Sequence, residues 1–400
     1  MNILIIGNIS SIHDEKWITF LAKNSEHKFF ITQEKLNTPL KSSQIKNYQN
    51  LGVNILPNLP SFSILKFWES IIGWIKIKQW VKKYKIDSIH IIFPTPHIFW
   101  VQFLNLPLLV STRGSDVLVV AKDLIQNKSL KNKLLLFLFN YNLKKSKFIT
   151  CTSELQQKFL EENFKYTIHK ITIVRTGIDI DFVDSIITPQ ITKNEIRIFS
   201  PRFFVPIYNL ETIITAIDNL PEKFLNKIHL QLVEGKNIDE KYKIKILKLL
   251  QNVRFKYSIA KYFDKKELIE EYKTSDLVIM VPHSDGTPNS ALETMLCKKP
   301  LIMSDLNYQS PLFNQTCLFA NPSKTEDLTN TIEFALEKYP ADLLEKAREM
   351  TVLYGNQKTE MNKIILIAFM LISCVFAKAQ NPIIKNIFTA DPAPIIYKDT

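Results

Sequence analysis

Short β-branched runs alternate with longer amphipathic stretches along most of this chain. Such an alternation is typical of βα units, in which a helix follows each strand and packs on a parallel sheet. The first series of predicted strands comprises residues 2–6, 27–32, 52–56, 88–93, 108–111, 148–152 and 171–175. The second series comprises residues 196–200, 228–233, 253–257, 277–281, 300–303 and 318–320. The sequence therefore predicts an α/β protein with two Rossmann-like doubly wound domains, over residues 1–190 and 191–360.

Several function classes lack their sequence motifs in this chain of 400 residues. The four cysteines lie far apart, and neither they nor the seven histidines have metal-site spacing, so we predict no metal site and a reducing cytosol. The loop that begins at Gly7 is not a G-x-G-x-x-G fingerprint, which argues against NAD. No Walker A or G-x-S-x-G spacing occurs, which excludes P-loop kinases and hydrolases with a nucleophile elbow. We therefore predict that the protein needs no cofactor.

Charge is distributed unevenly along the chain. Residues 1–190 contain 24 Lys and Arg against 14 Asp and Glu, whereas residues 191–360 contain 23 of each sign. The excess suggests an anionic partner for the first half, although a solvated lysine-rich surface is the alternative. Residues 62–85 interleave tryptophan and isoleucine with lysine, which suits a helix on an anionic membrane, or a core-packing helix with a lysine face. Nucleic acid fits less well, because no recognisable binding fold accompanies the charge.

One loop has the residues for binding a sugar nucleotide. It follows the apolar run LVIMV and holds Asp285, with Glu293 eight positions later in a predicted helix. Between these carboxylates lie residues suited to a helix start and to close ligand approach, namely Gly286, Thr287, Pro288, Asn289 and Ser290. Carboxylates can bind sugar hydroxyls, while free backbone N–H groups and the helix dipole can bind a diphosphate. The alternative is an ordinary acidic loop before a solvent-facing helix.

The same segment, SDGTPNSALETMLCKKPLI, resembles the glutamate-x7-glutamate signature of retaining glycosyltransferases of family 4, which have GT-B architecture. Asp285 stands for the first glutamate of that signature and Glu293 for the second. SPRFFVPIYNLETIITAI is similar to the first strand and helix of the family's C-terminal domain, and it places Arg202 at the diphosphate-binding arginine. TSELQQKFL and ITIVRTGIDIDFV resemble a helix and a strand end of the N-terminal domain. The resemblance extends over residues 1–360.

The resemblance also assigns residues to the acceptor side of the cleft. Residues 111–116 (STRGSD) resemble the family's H-G-S-D loop, so Arg113, Gly114 and Asp116 become candidates there. Gly7 joins them, because the first loop of the family faces the cleft.

The chain departs from the family pattern at a phosphate-binding position. Ile207 and Tyr208 stand where the family has a lysine, and Arg113 stands where histidine is common and could supply the missing charge.

The resemblance implies metal-independent transfer of a sugar from a nucleotide-sugar donor, held mainly by the second domain, to a glycan or lipid-linked acceptor. Asp285, Arg202 and Glu293 would be the catalytic and donor-binding residues, in polysaccharide or glycoconjugate synthesis at the cytoplasmic face of a membrane. Because the lysine is missing, a catalytically silent binding partner is an alternative. A sugar-nucleotide epimerase, which shares the architecture, is another.

The last forty residues do not continue the βα pattern. From Met361 the chain reads as a signal peptide, with an apolar run over residues 364–376 that is shorter than the roughly 18 residues needed to span a bilayer. The following segment resembles the start of a family 43 glycoside hydrolase, in which Asp391 matches the general base. We therefore predict that residues 361–400 are a gene-fusion scar, with a membrane-anchoring tail as the alternative.

Overall fold

The protein is described by a computed structural model that covers residues 1–61, 67–93, 101, 104–190, 195–235, 238–308 and 310–377. It contains two parallel sheets, each flanked by helices, which confirms the predicted pair of Rossmann-like domains. The first sheet has the strands β1 (Asn2–Ile6), β2 (Lys28–Thr32), β3 (Asn54–Ile55), β4 (Ser88–Ile92), β5 (Leu108–Ser111), β6 (Phe148–Cys151) and β7 (Ile171–Ile173). The second has β8 (Ile196–Ser200), β9 (Ile228–Val233), β10 (Lys256–Ala260), β11 (Leu277–Met280), β12 (Leu301–Ser304) and β13 (Leu318–Ala320).

Both sheets reverse their strand order near the middle. The first has the order β3-β2-β1-β4-β5-β6-β7 and the second β10-β9-β8-β11-β12-β13. The reversals lie between β1 and β4 and between β8 and β11, and open α/β sheets bind ligands beyond the carboxyl ends of the strands at such points. The fold therefore predicts a ligand site at the loops that follow these four strands.

Helices cover both faces of each sheet. The first domain has α1 (Ile12–Asn24), α2 (Ser42–Asn50), α3 (Phe67–Tyr84), a π-helical turn (Asp116–Ala121), α4 (Lys122–Gln126), α5 (Leu130–Lys145) and α6 (Glu154–Asn163). The remainder of the chain forms α7 (Ile180–Ser185), α8 (Leu210–Asp218), α9 (Glu222–Leu225), α10 (Glu240–Leu250), α11 (Lys265–Thr274), α12 (Asn289–Leu296), α13 (Thr325–Lys338), α14 (Ala341–Tyr354) and α15 (Gln357–Ala377). Short 3-10 turns lie at Lys165–Thr167, Pro206–Tyr208 and Pro311–Phe313.

One predicted strand is displaced along the chain. The run predicted at residues 253–257 becomes a strand only from Lys256, because the preceding loop is bound elsewhere. The backbone N–H of Arg254 donates to the Asp218 carboxylate at 2.7 Å, and its guanidinium donates to Glu222 at 2.8 Å. These contacts hold residue 254 outside the sheet.

Alternate residues of β1 separate the core of the first domain into two layers. Leu4 and Ile6 point into a cluster with residues of α3, α5 and α6, while Ile3 and Ile5 point into a cluster with residues of α1, α2 and α15. The second sheet is covered on both faces in the same way.

Helix α15 crosses the boundary that we predicted at residue 361. Its side chains Met361, Ile364 and Ile367 are each no more than 2% exposed and pack in the first-domain core beside Trp17 and Ile18. The first domain therefore extends past residue 361, because apolar residues at three-residue spacing bury one face of α15 against it. The origin of residues 361–400 as a gene-fusion scar stays a prediction. The predicted hydrolase-like segment with Asp391 lies outside the described residues. None of the helices in the described part of the chain combines the length and apolar character that crossing a membrane requires.

A buried arginine joins the two domains where the chain passes between them. Arg175 forms ion pairs with Glu154 of α6 and Glu360 of α15, and its side chain is 4% exposed. It also donates to the Ser310 hydroxyl of the second domain at 3.3 Å. Nearby, Ile178 exchanges backbone hydrogen bonds of 2.9 Å with Gly355 and Gln357, so the outgoing and returning chain segments lie side by side. We call Arg175, Glu154, Glu360 and Ser310 the hinge cluster.

Candidate active site

A cavity of about 860 Å³ separates the two domains. It lies at the carboxyl ends of β1 and β4 on one side and of β8 and β11 on the other, which are the two points of strand reversal. The residues that line it include predicted donor-side residues, namely Arg202, Asp285, Gly286, Thr287, Pro288, Asn289, Ser290 and Glu293. Gly7 and Arg113, from the predicted acceptor side, also line it. The structure thus brings most of the predicted residues to one place.

The donor-side loop leads directly into helix α12. Pro288 has an extended backbone conformation and precedes the helix, which begins at Asn289. Glu293 lies one turn further on, as its spacing predicts, and Ser290 in the first turn contacts the sulfur of Met280 at 3.5 Å. The first turn of α12 therefore opens into the cavity, where its backbone N–H groups and dipole favour negative charge.

Arg202 and Asp285 form an ion pair within this cavity. They follow the neighbouring strands β8 and β11, and their side chains are 11% and 20% exposed. The Asp285 carboxylate also accepts a hydrogen bond of 2.8 Å from the N–H of Gly286. On its other side the guanidinium of Arg202 lies 5.1 Å from the ring of Tyr208, one of the two residues at the family's lysine position. A charged pair with access to the cavity can exchange its internal contact for contacts with a polar ligand.

Glu293 lies deeper in the cavity and near cations from both domains. Desolvation raises the pKa of its carboxyl to about 6, against the opposing effects of Lys16, the Tyr272 hydroxyl and Lys265. Desolvation also lowers the pKa of Lys16, while the charge of Glu293 acts in the opposite direction. Glu293 is therefore a carboxylate whose charge changes close to neutral pH.

Gly286 lies close to the first domain. A Cβ atom at this position would lie 3.1 Å from the amide nitrogen of Gln156, on α6 of the first domain. The neighbouring Thr287 hydroxyl donates to the backbone carbonyl of Thr152 at 2.8 Å. The donor loop therefore contacts the first domain directly, and part of its polar surface connects the domains.

Arg113 is neutralised within its own domain. Its guanidinium lies 3.3 Å from the Asp14 carboxylate and 3.8 Å from the centre of the Trp17 ring, and it donates to the Thr176 hydroxyl at 3.5 Å. The side chain lines the cavity but is only 11% exposed. Binding of a phosphate by Arg113 would require this guanidinium to exchange its contact with Asp14, and the role of Arg113 stays a prediction.

Gly114 and Asp116 are buried behind the cavity wall and are not among its lining residues. The Asp116 carboxylate accepts hydrogen bonds from the N–H groups of Arg113, Gly114 and Val117, at 2.8–3.1 Å, and the residue is 1% exposed. Burial raises the pKa of Asp116 to about 6, against these hydrogen bonds. The structure therefore does not bring Gly114 and Asp116 to the cavity surface, and Asp116 binds the backbone of its own loop at the start of the π-helical turn. Their role on the acceptor side stays a prediction.

Asp14 is a cavity residue that sequence reasoning missed. It lies in the first turn of α1 and accepts a hydrogen bond of 2.9 Å from the N–H of Asn8 in addition to its contact with Arg113. A Cβ atom on Gly7 would lie 2.7 Å from the Asp14 carboxylate, so glycine is needed at residue 7 for this close approach. Burial raises the pKa of Asp14, and the nearby Arg113 opposes that shift.

Two lysines of the cavity were also missed. Lys16 donates to the backbone carbonyl of Gly177 at 3.2 Å, and the amino group of Lys265 lies 3.9 Å from the ring centre of Phe182. A signal for Lys16 was present, since Ser11 is a helix N-cap residue directly after the first predicted strand and loop. The beginning of such a helix lies at the sheet edge where ligands bind, and Lys16 follows directly after the first turn of α1. Among the residues that the structure describes, no three His, Cys, Asp or Glu side chains are grouped so that they could hold a metal ion.

Two family models match consecutive parts of the chain. The Glycosyltransferase Family 4 model matches residues 31–182, and the model for glycosyl transferases group 1 matches residues 185–351. The chain belongs to the GT-B glycosyltransferases. No curated protein sequence matches it.

Solved structures share the whole fold of this glycosyltransferase at low sequence identity. A glycosyltransferase from Rickettsia africae ESF-5 has a TM-score of 0.75 at 17% identity, over 93% of this chain and 98% of that chain. Sucrose-phosphate synthase from Thermosynechococcus elongatus has a TM-score of 0.70 at 16% identity, over 94% and 100% of the two chains. HepE from Anabaena, in complex with UDP-glucose, has a TM-score of 0.69 at 13% identity, over 92% and 100%. At these identities the similarity concerns the fold alone.

Proposed function

We propose that this protein transfers a sugar, with retention of anomeric configuration, from a nucleotide diphosphate sugar to a hydroxyl of a glycan or lipid-linked acceptor. The observation that carries the proposal is the convergence of Arg202, Asp285 and Glu293 on one cavity around the start of α12. HepE from Anabaena, which has the same fold, binds UDP-glucose in a solved structure, and this supports a nucleotide-sugar donor. Synthesis of a polysaccharide or glycoconjugate is the corresponding role.

Each of the three side chains would bind a different part of the donor. Arg202 and the first N–H groups of α12 would bind the diphosphate, because both present positive charge to the cavity. Asp285, released from Arg202, would accept hydrogen bonds from hydroxyls of the donor sugar. Glu293, deeper in the cavity, would accept hydrogen bonds from the ribose. The diphosphate would thus replace Asp285 as the anionic partner of Arg202.

During transfer, the bond between the anomeric carbon and the β-phosphate oxygen breaks, and its electron pair leaves with the diphosphate. The acceptor oxygen bonds to the anomeric carbon on the same face, and its proton passes to the departing diphosphate. Negative charge grows on the leaving group, so Arg202 and the α12 N-terminus stabilise the transition state more than the ground state. This arrangement does not require a metal ion to neutralise the leaving group.

The second phosphate cation would come from a residue other than the family's lysine. Lys16 and Lys265 both line the cavity, and both act electrostatically on Glu293. Movement of either ammonium group toward the diphosphate would supply the charge that Ile207 and Tyr208 lack. We propose this role for the pair, because Arg113 would have to exchange its contact with Asp14.

A screen of nucleotide sugars by thermal shift tests the proposal. A ligand that binds only the folded state adds RT ln(1 + [L]/Kd), about 2.7 kcal/mol at a hundredfold excess over Kd. We expect at least one nucleotide sugar to raise the melting temperature of the wild-type protein and to lose most of this effect in Glu293→Ala. Lys338→Ala, a substitution on the exposed surface of α13, is the control. No shift with any nucleotide sugar, in a protein that melts cooperatively, would contradict the proposal.

One observation favours a second candidate, a catalytically silent protein that binds a nucleotide or glycan. The Tyr208 ring occupies one side of Arg202 at the position where the family has a phosphate-binding lysine. Transfer assays on the donor that the screen identifies separate the two candidates. Binding with neither transfer to an added acceptor nor hydrolysis of the donor would favour the silent protein.

A further inference from the structure

Helix α3 has apolar side chains on its outer surface. Trp68, Ile72 and Ile75 are 58%, 46% and 44% exposed. Their spacing of four and then three residues places them in one stripe along the helix. The opposite side of α3 is already buried, since Ile77 and Trp80 are no more than 8% exposed within the domain core. The stripe is therefore not part of the packing that holds α3 in place.

Helix α5 has a second stripe with the same spacing. Leu130, Leu134 and Phe137 are 85%, 45% and 55% exposed. On its inner side Phe139 and Leu143 are buried in the same core cluster that holds the inner side of α3. Both helices thus cover the same face of the first sheet, and both stripes point away from it. We call the outer surface of α3, the π-helical turn, α4 and α5 the α3–α5 face.

The lysines of the first domain are concentrated on the same face. Residues 68–85 contain five lysines against Glu69, and residues 119–147 contain seven lysines against Asp123. Most are exposed, namely Lys78, Lys82, Lys83, Lys85, Lys122, Lys128, Lys131, Lys133, Lys144, Lys145 and Lys147. The rest of residues 1–190 has 12 cationic and 12 acidic side chains. The whole positive excess of this half of the chain therefore belongs to the two segments that also expose the apolar stripes.

From this coincidence we propose that the α3–α5 face docks on the surface of an anionic lipid membrane. Tryptophan, phenylalanine and aliphatic side chains enter the boundary between headgroups and acyl chains, while surrounding lysines bind anionic headgroups. Val119 and Val120, 50% and 46% exposed between the two stripes along the chain, add apolar surface. The proposal does not rest on the proposed function, because none of these residues lines the cavity between the domains.

The charge of the face argues for a membrane over other partners. A second copy of this chain would bring two strongly positive faces together, which like-charge repulsion opposes. A nucleic acid would use the lysines but would gain little from aliphatic stripes, since duplex recognition relies on phosphate contacts and base edges. An anionic membrane satisfies both sets of residues at once.

Vesicle flotation tests the proposal on the full chain. We expect the protein to float with vesicles that contain phosphatidylglycerol and to remain unbound with phosphatidylcholine alone. Raising the salt concentration to about 1 M should release it, because the Debye length falls to about 3 Å. Equal flotation with both lipids, or none with either, would overturn the proposal.

Two triple variants test the two components of the face separately. Lys128→Glu, Lys131→Glu and Lys133→Glu together should weaken partitioning by at least about a hundredfold, since loss of each lysine that binds lipid costs about fivefold and each glutamate adds repulsion. In a second variant, serine replaces Trp68, Ile72 and Ile75, and partitioning should fall by at least about tenfold while the salt dependence remains. Melting curves identify any variant that fails to fold.

Helix α10 of the second domain offers a matched control. It also exposes aliphatic residues beside lysines, with Ile244 65% and Leu247 37% exposed, but it lies in the half of the chain without excess charge. Serine at residues 244 and 247, or glutamate in place of Lys241 and Lys248, should leave flotation unchanged. Flotation lost in the α10 variants and retained in the α3 and α5 variants would contradict the proposal.

Binding to nucleic acid and binding to a second copy of the chain would each give a result different from membrane binding. A duplex DNA fragment that binds through the α5 lysines, in a protein that does not float with vesicles, would replace the membrane with nucleic acid. Self-association in sedimentation that the α3 serine variant abolishes, again without flotation, would replace it with a second copy of the chain.

Discussion

The loop predicted to bind the donor and the loop predicted to face the acceptor use their polar residues differently. On the donor side, Arg202, Asp285 and Glu293 lie on the cavity surface, as their family positions predict. In the predicted acceptor loop, the Asp116 carboxylate binds three backbone N–H groups of its own loop and lies away from the cavity surface. A family motif therefore locates a loop reliably, but the direction of each side chain depends on which local partners are available.

The difference has a physical cause in how each loop meets its helix. The predicted donor loop enters α12 through Pro288, which provides no side-chain cap, and the N–H of Ala291 already donates to the Pro288 carbonyl at 3.1 Å. The N–H groups of Asn289 and Ser290, at the start of the helix, have no side-chain cap. In the acceptor loop, Asp116 itself satisfies the N–H groups before the π-helical turn. A buried carboxylate that accepts several N–H groups stabilises its loop and has little capacity left for a ligand.

Removal of α15 should have the largest effect, and it acts on the stability of the first domain. A protein that ends at Glu360 loses Met361, Ile364 and Ile367, and burial of each contributes about 1.5–3 kcal/mol. Its first domain should therefore unfold at a much lower denaturant concentration than that of a protein ending at Ile367. The longer truncation keeps these side chains and should bind donor as tightly as the full chain. Equal denaturation midpoints for the two truncations would show that α15 does not support the acceptor half.

Replacement of Arg202 by alanine should have the next largest effect, and it acts on the donor side. Loss of a hydrogen-bonding group that stabilises developing negative charge lowers turnover by about 10²–10³-fold. Donor affinity should also fall, because the diphosphate loses its arginine. Asp285→Ala should reduce turnover more than affinity, since its contacts with the sugar strengthen as the bond breaks. Steady-state transfer and donor binding would be measured beside Lys338→Ala, and wild-type rates in both variants would remove the catalytic assignment.

Asp116→Ala tests the acceptor side with a smaller effect on stability. It leaves buried N–H groups without their acceptor, which costs about 1–3 kcal/mol in the free energy of unfolding. Donor affinity should stay unchanged, because Asp116 is not on the cavity surface. Asp123→Ala, on the exposed surface of α4, is the control. A variant of normal stability that had lost transfer to the acceptor would place Asp116 at the acceptor site.

The smallest effect concerns the pH dependence of Glu293. Its pKa is raised to about 6, so the carboxylate that would accept ribose hydroxyls becomes neutral as the pH falls through that value. Donor affinity of the wild-type protein should then decrease by up to about tenfold per pH unit below pH 6. Glu293→Gln should bind donor weakly at every pH. Isothermal titration calorimetry at pH 5 and at pH 8 would measure the donor affinity of both proteins.

The same shift predicts the sign of a stability change. Because the folded state binds the Glu293 proton more tightly than the unfolded state does, this group stabilises the fold at low pH, and the contribution is lost as the pH rises through about 6. Glu293→Gln should therefore melt at the wild-type temperature near pH 4 and at a higher temperature at pH 8. A lower melting temperature than wild type at pH 8 would contradict the raised pKa.

The strand pattern and the donor loop could be predicted from the sequence because both depend on local spacing. Alternating apolar runs define buried strands, and eight residues between Asp285 and Glu293 place the second carboxylate one turn into a helix. The partners of Arg113 could not be predicted in the same way, since Asp14 is 99 residues away along the chain. Helix α15 follows the second domain along the chain but packs on the first domain. Its local sequence does not indicate this packing, so its apolar residues suggested a separate tail.

The ion pairs of the hinge cluster would stay intact if the two domains moved apart to open the cavity. Arg175, Glu154 and Glu360 belong to the first domain or to the segment that packs on it, whereas Ser310 belongs to the second. Rotation of one domain away from the other would break the hydroxyl contacts of Ser310 and the Thr287 hydrogen bond to Thr152, and it would leave both arginine ion pairs intact. At the hinge cluster, the contacts that such a rotation would break are therefore hydrogen bonds of neutral hydroxyl groups, whereas the ion pairs of Arg175 would stay within one domain.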